Sequence, residues 1–252
     1  MTELINIQPQ KKFKILLLGD VCLDRYVYGT VEKISPEAPV PIFVPKKTWE
    51  RNGMANNVYE NLIALGAYVT FKHGNISTKT RYIEEKSRYQ MFRLDDDIIS
   101  KKYDFSVSDA FDAIVISDYN KGFVDYDTVI QLKKNYTCPI FIDSKKKDLA
   151  EFEGCYVKVN ESEYNSAKSH PSKMIVTLGS QGSMYKGKIY PTTNVEVHDV
   201  TGAGDVYLAA LCMFYLRTGS IEKSIPYANK LSSLSVQHEG SYTIQQKDLE
   251  KL

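Results

Sequence analysis

The chain has no surplus of either charge. Its 252 residues carry 32 lysines and arginines against 31 aspartates and glutamates, a formal net charge of +1. Nucleic-acid and membrane-surface binders draw on a basic excess, so neither partner is expected and any phosphate recognition must be local. Long apolar runs are missing as well. None reaches the ~18 residues of a membrane span, and the opening "MTELINIQPQKK" has no apolar signal core. Cysteine is scarce: Cys22, Cys138, Cys155 and Cys212 form no CxxC pair and no cluster with histidine at metal-ligand spacing. Buried reduced thiols are expected, which suits a cytoplasmic protein. His73, His170, His198 and His238 make no HExxH or other ligand pair and receive no role. No repeat, low-complexity tract or linker divides the chain, so residues 1–252 are expected to form one domain.

What is present is alternation. Apolar runs of strand length recur at 14–19, 113–117, 139–143, 156–159 and 174–179. Most are continuously apolar, as parallel strands covered on both faces require. Helical patterns fall between and after them, at 55–67, 126–136, 160–168, 205–218 and 222–237. Strand and helix in alternation predict an α/β fold with a doubly wound, mostly parallel sheet and helices on both faces. Two segments break the rhythm. Residues 26–44 contain β-formers cut by three prolines, a pattern of edge strands. Residues 79–94 alternate polar and apolar in two short runs, as in a hairpin with one wet face. Together they predict a small antiparallel β-flap beside the α/β body.

Each candidate motif has two readings on its own. In "DVTGAGD" (199–205), Gly202 and Gly204 let main-chain amides approach a ligand, and an apolar helix follows. Unpaired amides and the helix dipole there favour an anion. Asp205 would then accept the proton of an attacking hydroxyl, or it would merely cap the helix. In "VNESE" (159–163), Asn160 and Glu163 would either organise Mg²⁺ beside substrate phosphates or form an ordinary capping box. "IVTLGSQGS" (175–183) ends a strand where open α/β sheets place ligands, or is a plain tight turn. Asp24, with Gly53 and Asn57, would suit a polyol, or would serve turn and cap chemistry.

The order of these motifs is more informative than any one of them. Along nearly its whole length the chain resembles the ribokinase-like (PfkB) carbohydrate kinases, and within them the D-glycero-β-D-manno-heptose 7-phosphate kinases. The resemblance is carried by "LLLGDVCLDRYVYGTVEKISPEAPVPIF", "RNGMANNVYENLIALGA", "STKTRYI", "MFRLD", "VISDYNKG", "FIDSKKKD", "NESEY" and "HDVTGAGD". It implies Asp205 as catalytic base, with Gly202, Ala203 and Gly204 as its anion hole. Asn160 and Glu163 match the motif that organises Mg²⁺ and ATP, with Glu163 reaching the metal through water. Thr177, Gly179 and Gly182 match the nucleotide-binding turn, and Asn229 falls where the family lines the adenine pocket. Asp24, Gly53 and Asn57 match sugar-binding positions. Asp199 lies where many relatives hold a monovalent cation such as K⁺.

The reaction implied is ATP-dependent phosphorylation of the C1 hydroxyl of the heptose 7-phosphate, giving the 1,7-bisphosphate for nucleotide-heptose and surface-polysaccharide synthesis. The remote phosphate needs a cationic clamp, for which Lys121, Arg81, Arg93 and Lys145 are candidates. The resemblance also implies a homodimer formed through the flap.

Three departures stand out. Met54 and Asn56 replace a glycine and an alanine that are usual in the family. Between Thr70 and Ser77 only "FKHGNI" remains where relatives carry a further helix and strand, so one βα unit is missing and a sheet edge should be trimmed. The sequence stops at Leu252, so the nucleotidyltransferase half of the bifunctional relatives is expected to be absent. These keep two other readings open: a kinase for a different sugar or sugar phosphate, and a catalytically weak relative that only binds one.

Overall fold

The computed structural model describes residues 12–105 and 109–252; residues 1–11 of the opening stretch lie outside them. Among the described residues, ten strands form a single sheet. In chain order they are β1 (Lys14–Ile34), β2 (Pro41–Met54), β3 (Tyr68–Glu84), β4 (Gln90–Asp96), β5 (Ala113–Asp118), β6 (Ile140–Ser144), β7 (Tyr156–Asn160), β8 (Met174–Thr177), β9 (Ser183–Tyr185) and β10 (Lys188–Tyr190). The α-helices among the described residues are α1 (Ala55–Ala64), α2 (Tyr126–Asn135), α3 (Glu161–Ser166), α4 (Ala203–Thr218), α5 (Ile221–Ser235) and α6 (Gln246–Leu249). The sheet runs β10-β9-β8-β7-β6-β5-β1-β3-β4, with β2 added to β1. From β3 through β8 the body pairs are parallel, and β9 and β10 close one end antiparallel.

The period of two along each strand sorts the core onto two faces. Ile15, Leu17, Ala113, Val115 and Phe141 pack under α1, α4 and α5. Leu16, Leu18, Ile114, Ile116 and Ile142 pack under α2 on the other side. Helix α4 is apolar on nearly every side because it is sandwiched: residues 205–214 are all buried. Covered strands and a wrapped central helix are what the continuous apolar runs predict. The strand expected over 174–179 stops at Thr177, where the chain turns through Leu178 into a 3₁₀ turn at Gly179–Gln181.

The flap differs from expectation. It is an extension of the body sheet, because β1 and β3 run on together from one into the other, parallel from Lys14 beside Tyr68 to Gly29 beside Glu84. Segment 26–34 is therefore the middle of the flap, between β2 and β3, and only β2 and β4 lie at its edges. Pro36 and Pro39 sit in the connection and Pro41 opens β2, so none interrupts β1. The short 70–77 segment explains the fused strand. With no helix to insert, β3 crosses the body and enters the flap directly. One irregularity marks the passage, where Gly74 and Asn75 on β3 face only Asp20 on β1.

Candidate active site

The carboxyl ends of β6, β7 and β8 and the N-terminus of α4 border one cleft of about 450 Å³, the usual place for a ligand in an open α/β sheet. Asn160, Thr177, Gly179, Gly182, Gly202, Ala203, Gly204, Asp205 and Asn229 all line it. Nine residues drawn from four separate sequence stretches thus meet in one cavity. Val195, Val197, Val200 and Val236 supply an apolar stretch of wall suited to a flat base.

Asp205 is in the first turn of α4 and does not cap it; that place belongs to Gly202, in the left-handed region at φ 76°. The Asp205 carboxylate is buried, and it accepts from Asn57 Nδ2 at 3.1 Å and from the Tyr119 hydroxyl at 3.2 Å. Burial raises its pKa to about 6. The Asn57 hydrogen bond opposes that shift, Asp143 adds to it, and Lys158 and Tyr119 oppose it. A carboxylate held by two donors and titrating near neutrality has the character of a general base.

Only part of the expected anion hole is open. The amide of Ala203 donates to Val200 O at 3.3 Å and that of Asp205 to Gly202 O at 3.0 Å. Among the described residues the amides of Gly202 and Gly204 have no main-chain partner, which leaves those two for an anion. A buried cation stands behind them. Lys158 Nζ pairs with Asp143 Oδ2 at 2.7 Å and lies 2.6 Å from where a Cβ on Gly204 would stand. Burial works against the charge on Asp143, yet Lys158 and Lys145 hold its carboxyl below the usual range. Lys145 pairs with Asp143 and with Glu163. Burial opposes its charge, but Asp143 and Glu163 hold its pKa above the usual lysine value.

Several expected residues have their polar atoms committed elsewhere. Glu163 forms the capping box with Asn160, at 2.8 Å in both directions, and also takes Lys145, so the plainer reading of that motif is realised. Asn57 spends its amide hydrogens on Gly202 O and Asp205, and orients the base where a polyol contact was expected. Asn229 accepts from Ser183 Oγ and donates to Tyr190 O, holding the nucleotide-side wall together. Asp199 accepts from Thr201 and from the Gly240 amide. Burial raises its pKa, but the Thr201 and Gly240 hydrogen bonds outweigh this and hold it low.

Among the described residues no three His, Cys, Asp or Glu side chains come together as a metal cage. Mg²⁺ keeps most of its waters and binds through few carboxylates plus phosphates. The residues present therefore fit a cation carried in on a nucleotide better than one held in a dedicated protein cage.

On the acceptor side, Asp24 is buried and pairs with Arg81 at 2.6 Å. Gly53 is needed beside it, since a Cβ there would collide with the Asp24 carboxylate. Lys121 and Arg93, two of the expected clamp residues, are held by Asp97 and Asp95. Sequence reasoning missed Tyr119, Asp143 and Lys158. A lysine inside the strand run "YVKV" was the available signal, because a charge at a buried strand position requires a partner.

The chain matches the family model described as pfkB family carbohydrate kinase over residues 129–248. It is 30% identical over 295 residues to the bifunctional protein HldE of Helicobacter pylori (strain J99), covering 90% of this chain and 64% of that protein. It is 28% identical over 316 residues to HldE of Coxiella burnetii (strain Dugway 5J108-111), covering 100% of this chain and 66% of that one. The chain thus spans just under two thirds of the length of these relatives. Among solved structures, a ribokinase from Thermotoga maritima superposes with a TM-score of 0.69 at 15% identity, covering 95% of this chain and 98% of the other. Phosphofructokinase-2 from Escherichia coli, in complex with potassium, gives 0.68 at 15% identity over 96% and 98%. The fold is therefore ribokinase-like, and residues 129–248 carry the match to the pfkB family of carbohydrate kinases.

Proposed function

We propose that this chain is an ATP-dependent sugar kinase that phosphorylates the C1 hydroxyl of D-glycero-D-manno-heptose 7-phosphate. The observation that carries the reading is Asp205: a buried carboxylate with a pKa near 6, at the edge of the cleft and adjoining two glycine amides without main-chain partners. ATP lies in the cleft, its base against the valine wall and its terminal phosphate over Gly202 and Gly204. Asp205 takes the hydroxyl proton as the sugar oxygen bonds to the γ-phosphorus, and the bond from that phosphorus to the bridging oxygen breaks to release ADP. Mg²⁺, bound with the nucleotide, would neutralise phosphate charge. Lys158 and the two amides stabilise charge on the transferring group. The fold-wide resemblance to heptose 7-phosphate kinases supports the choice of acceptor.

A kinase for a different sugar phosphate is the second reading, favoured by Met54, which is buried at the junction of β2 and α1 beside Gly53. We also propose a homodimer through the outer flap face, where Phe43, Tyr82 and Phe92 form an aromatic ladder. Coupled ADP release on a panel of heptose, hexose and pentose phosphates tests the enzyme reading. Turnover with the heptose 7-phosphate at the highest kcat/KM is expected. Absence of ADP release on every sugar would remove the kinase assignment.

A further inference from the structure

We propose that Lys79 is the specificity-determining anchor for the acceptor's own anionic group. The inference rests on the kinase reading above. The β1–β3 and β1–β2 registers place Lys79, Asp24 and Arg51 in one row across the flap, next to the row of Arg81, Tyr26 and Trp49. Arg81 bonds to Asp24 and lies over the Tyr26 ring, which stacks on Trp49, so these side chains share one face. It is the face turned to the reaction centre, since the Cys22 thiol on it feels Asp24, Lys79 and Asp205.

On that face the cations nearest Asp24 are held in turn, while Lys47 lies farther out, opposite Tyr28. Asp24 neutralises Arg81. Arg51 donates to the Glu239 carbonyl at 3.4 Å. Asp95, the β4 neighbour of Lys79, is taken by Arg93 through two hydrogen bonds of 2.7 and 2.9 Å. Lys79 therefore has no carboxylate partner among the described residues. Its Nζ instead lies 5.6 Å from the centroid of the Tyr119 ring, and the hydroxyl of that ring touches Asp205. Lys145 lies over the same ring at 5.4 Å, but Asp143 and Glu163 already hold it.

A half-buried ammonium without a counter-ion, one aromatic ring away from the base, is a poor neighbour for a neutral sugar and a good one for a phosphate. Its Nζ and the Asp205 carboxylate meet the same side chain, one at the Tyr119 ring and the other at its hydroxyl. An acceptor whose hydroxyl meets Asp205 would therefore present its remote phosphate to Lys79. The acceptor class is a sugar carrying a phosphate away from the reacting hydroxyl.

The test is calorimetric binding and steady-state kinetics of Lys79→Met and Lys79→Arg with D-glycero-D-manno-heptose 7-phosphate and with the unphosphorylated heptose. The parent protein is expected to prefer the phosphorylated sugar. In Lys79→Met, its Kd and KM should rise roughly tenfold or more, as loss of a charge-assisted contact implies. The preference for phosphorylated over free sugar should collapse, and Lys79→Arg should restore most of it. Thermal melts of each variant separate this from a folding defect. An unchanged preference in Lys79→Met overturns the proposal, as does a parent that binds the two sugars equally or binds neither. Binding that follows the proposal without ADP release would instead remove the kinase reading alone.

Discussion

Lys158 and Gly204 compete for one space: the lysine Nζ lies 2.6 Å from the point where a Cβ on residue 204 would be. The glycine is required by what lies behind the loop as well as by any phosphate in front of it. Gly204→Ala should push Lys158 off Asp143 or lift the loop, and either movement spoils the cradle. We expect kcat/KM to fall roughly 10²-fold or more, the scale of losing one oxyanion-type donor. Steady-state kinetics alongside a thermal melt checks this. A fully active, undisturbed Gly204→Ala protein would show that the cradle does not need Lys158 in place.

Asp205 links activity to pH and opposes stability. Burial raises its pKa from 3.8 to about 6, so the base should lose its proton through that range and kcat/KM should show an acidic limb near pH 6. Tyr119→Phe removes a donor that favours the charged form, so this limb should move to higher pH. Asp205→Asn should lose roughly 10²–10⁴ in kcat while keeping ATP affinity. The sign for stability is the reverse of a salt-bridged aspartate. A raised folded-state pKa means that the charged form is penalised above pH 6, and that the penalty fades as pH falls toward 3.8. At about 1.4 kcal/mol per pH unit, Asp205→Asn should be of order 3 kcal/mol more stable at pH 7.5 and near parity at pH 4. Melts across that range that show no advantage at pH 7.5 would contradict the burial of a charged base.

Much of this was legible in the sequence, for reasons that also explain what was not. Strands β5, β6 and β7 are covered on both faces, so they read as largely apolar runs within a residue of their ends. The motifs at 160, 177, 202 and 205 were legible because strand ends and helix starts carry local signatures. Partners across the sheet leave no such trace. Asn57 has the same spacing whether it faces a sugar or Asp205, and only the packing of α1 beside α4 decides. The flap was misread for a related reason. Proline at 36, 39 and 41 looked like damage to one strand, whereas the strand had already ended and the prolines shape the turn.

The outer flap face predicts assembly. Phe92 and Leu94 on β4 are 51% and 53% exposed, beside Tyr82 and Phe43. An apolar face of this kind on an edge strand invites pairing. Light scattering at micromolar concentration should give a dimer, and Leu94→Asp should give a monomer that stays folded. A monomeric parent protein at that concentration would leave the face without its partner and end the dimer proposal.

Met54 tests whether the α1 junction is strained. It caps α1 at φ 58° and ψ −131°, a conformation natural to glycine, while its side chain is buried. Strain of this kind is worth roughly 1–3 kcal/mol, and glycine gives back about 0.5–1 kcal/mol through chain entropy. Truncation to Ala or Gly removes the same packing, so the two variants differ mainly in backbone fit. Met54→Gly should therefore melt above Met54→Ala by about 2–4 °C, the scale of 1 kcal/mol in a chain of this size. This inverts the order found at ordinary helical sites, where alanine is the better residue. If Met54→Ala proved the more stable of the two, the backbone at this junction would not be strained, and the substitution of methionine for the family's glycine would have to act through its side chain alone.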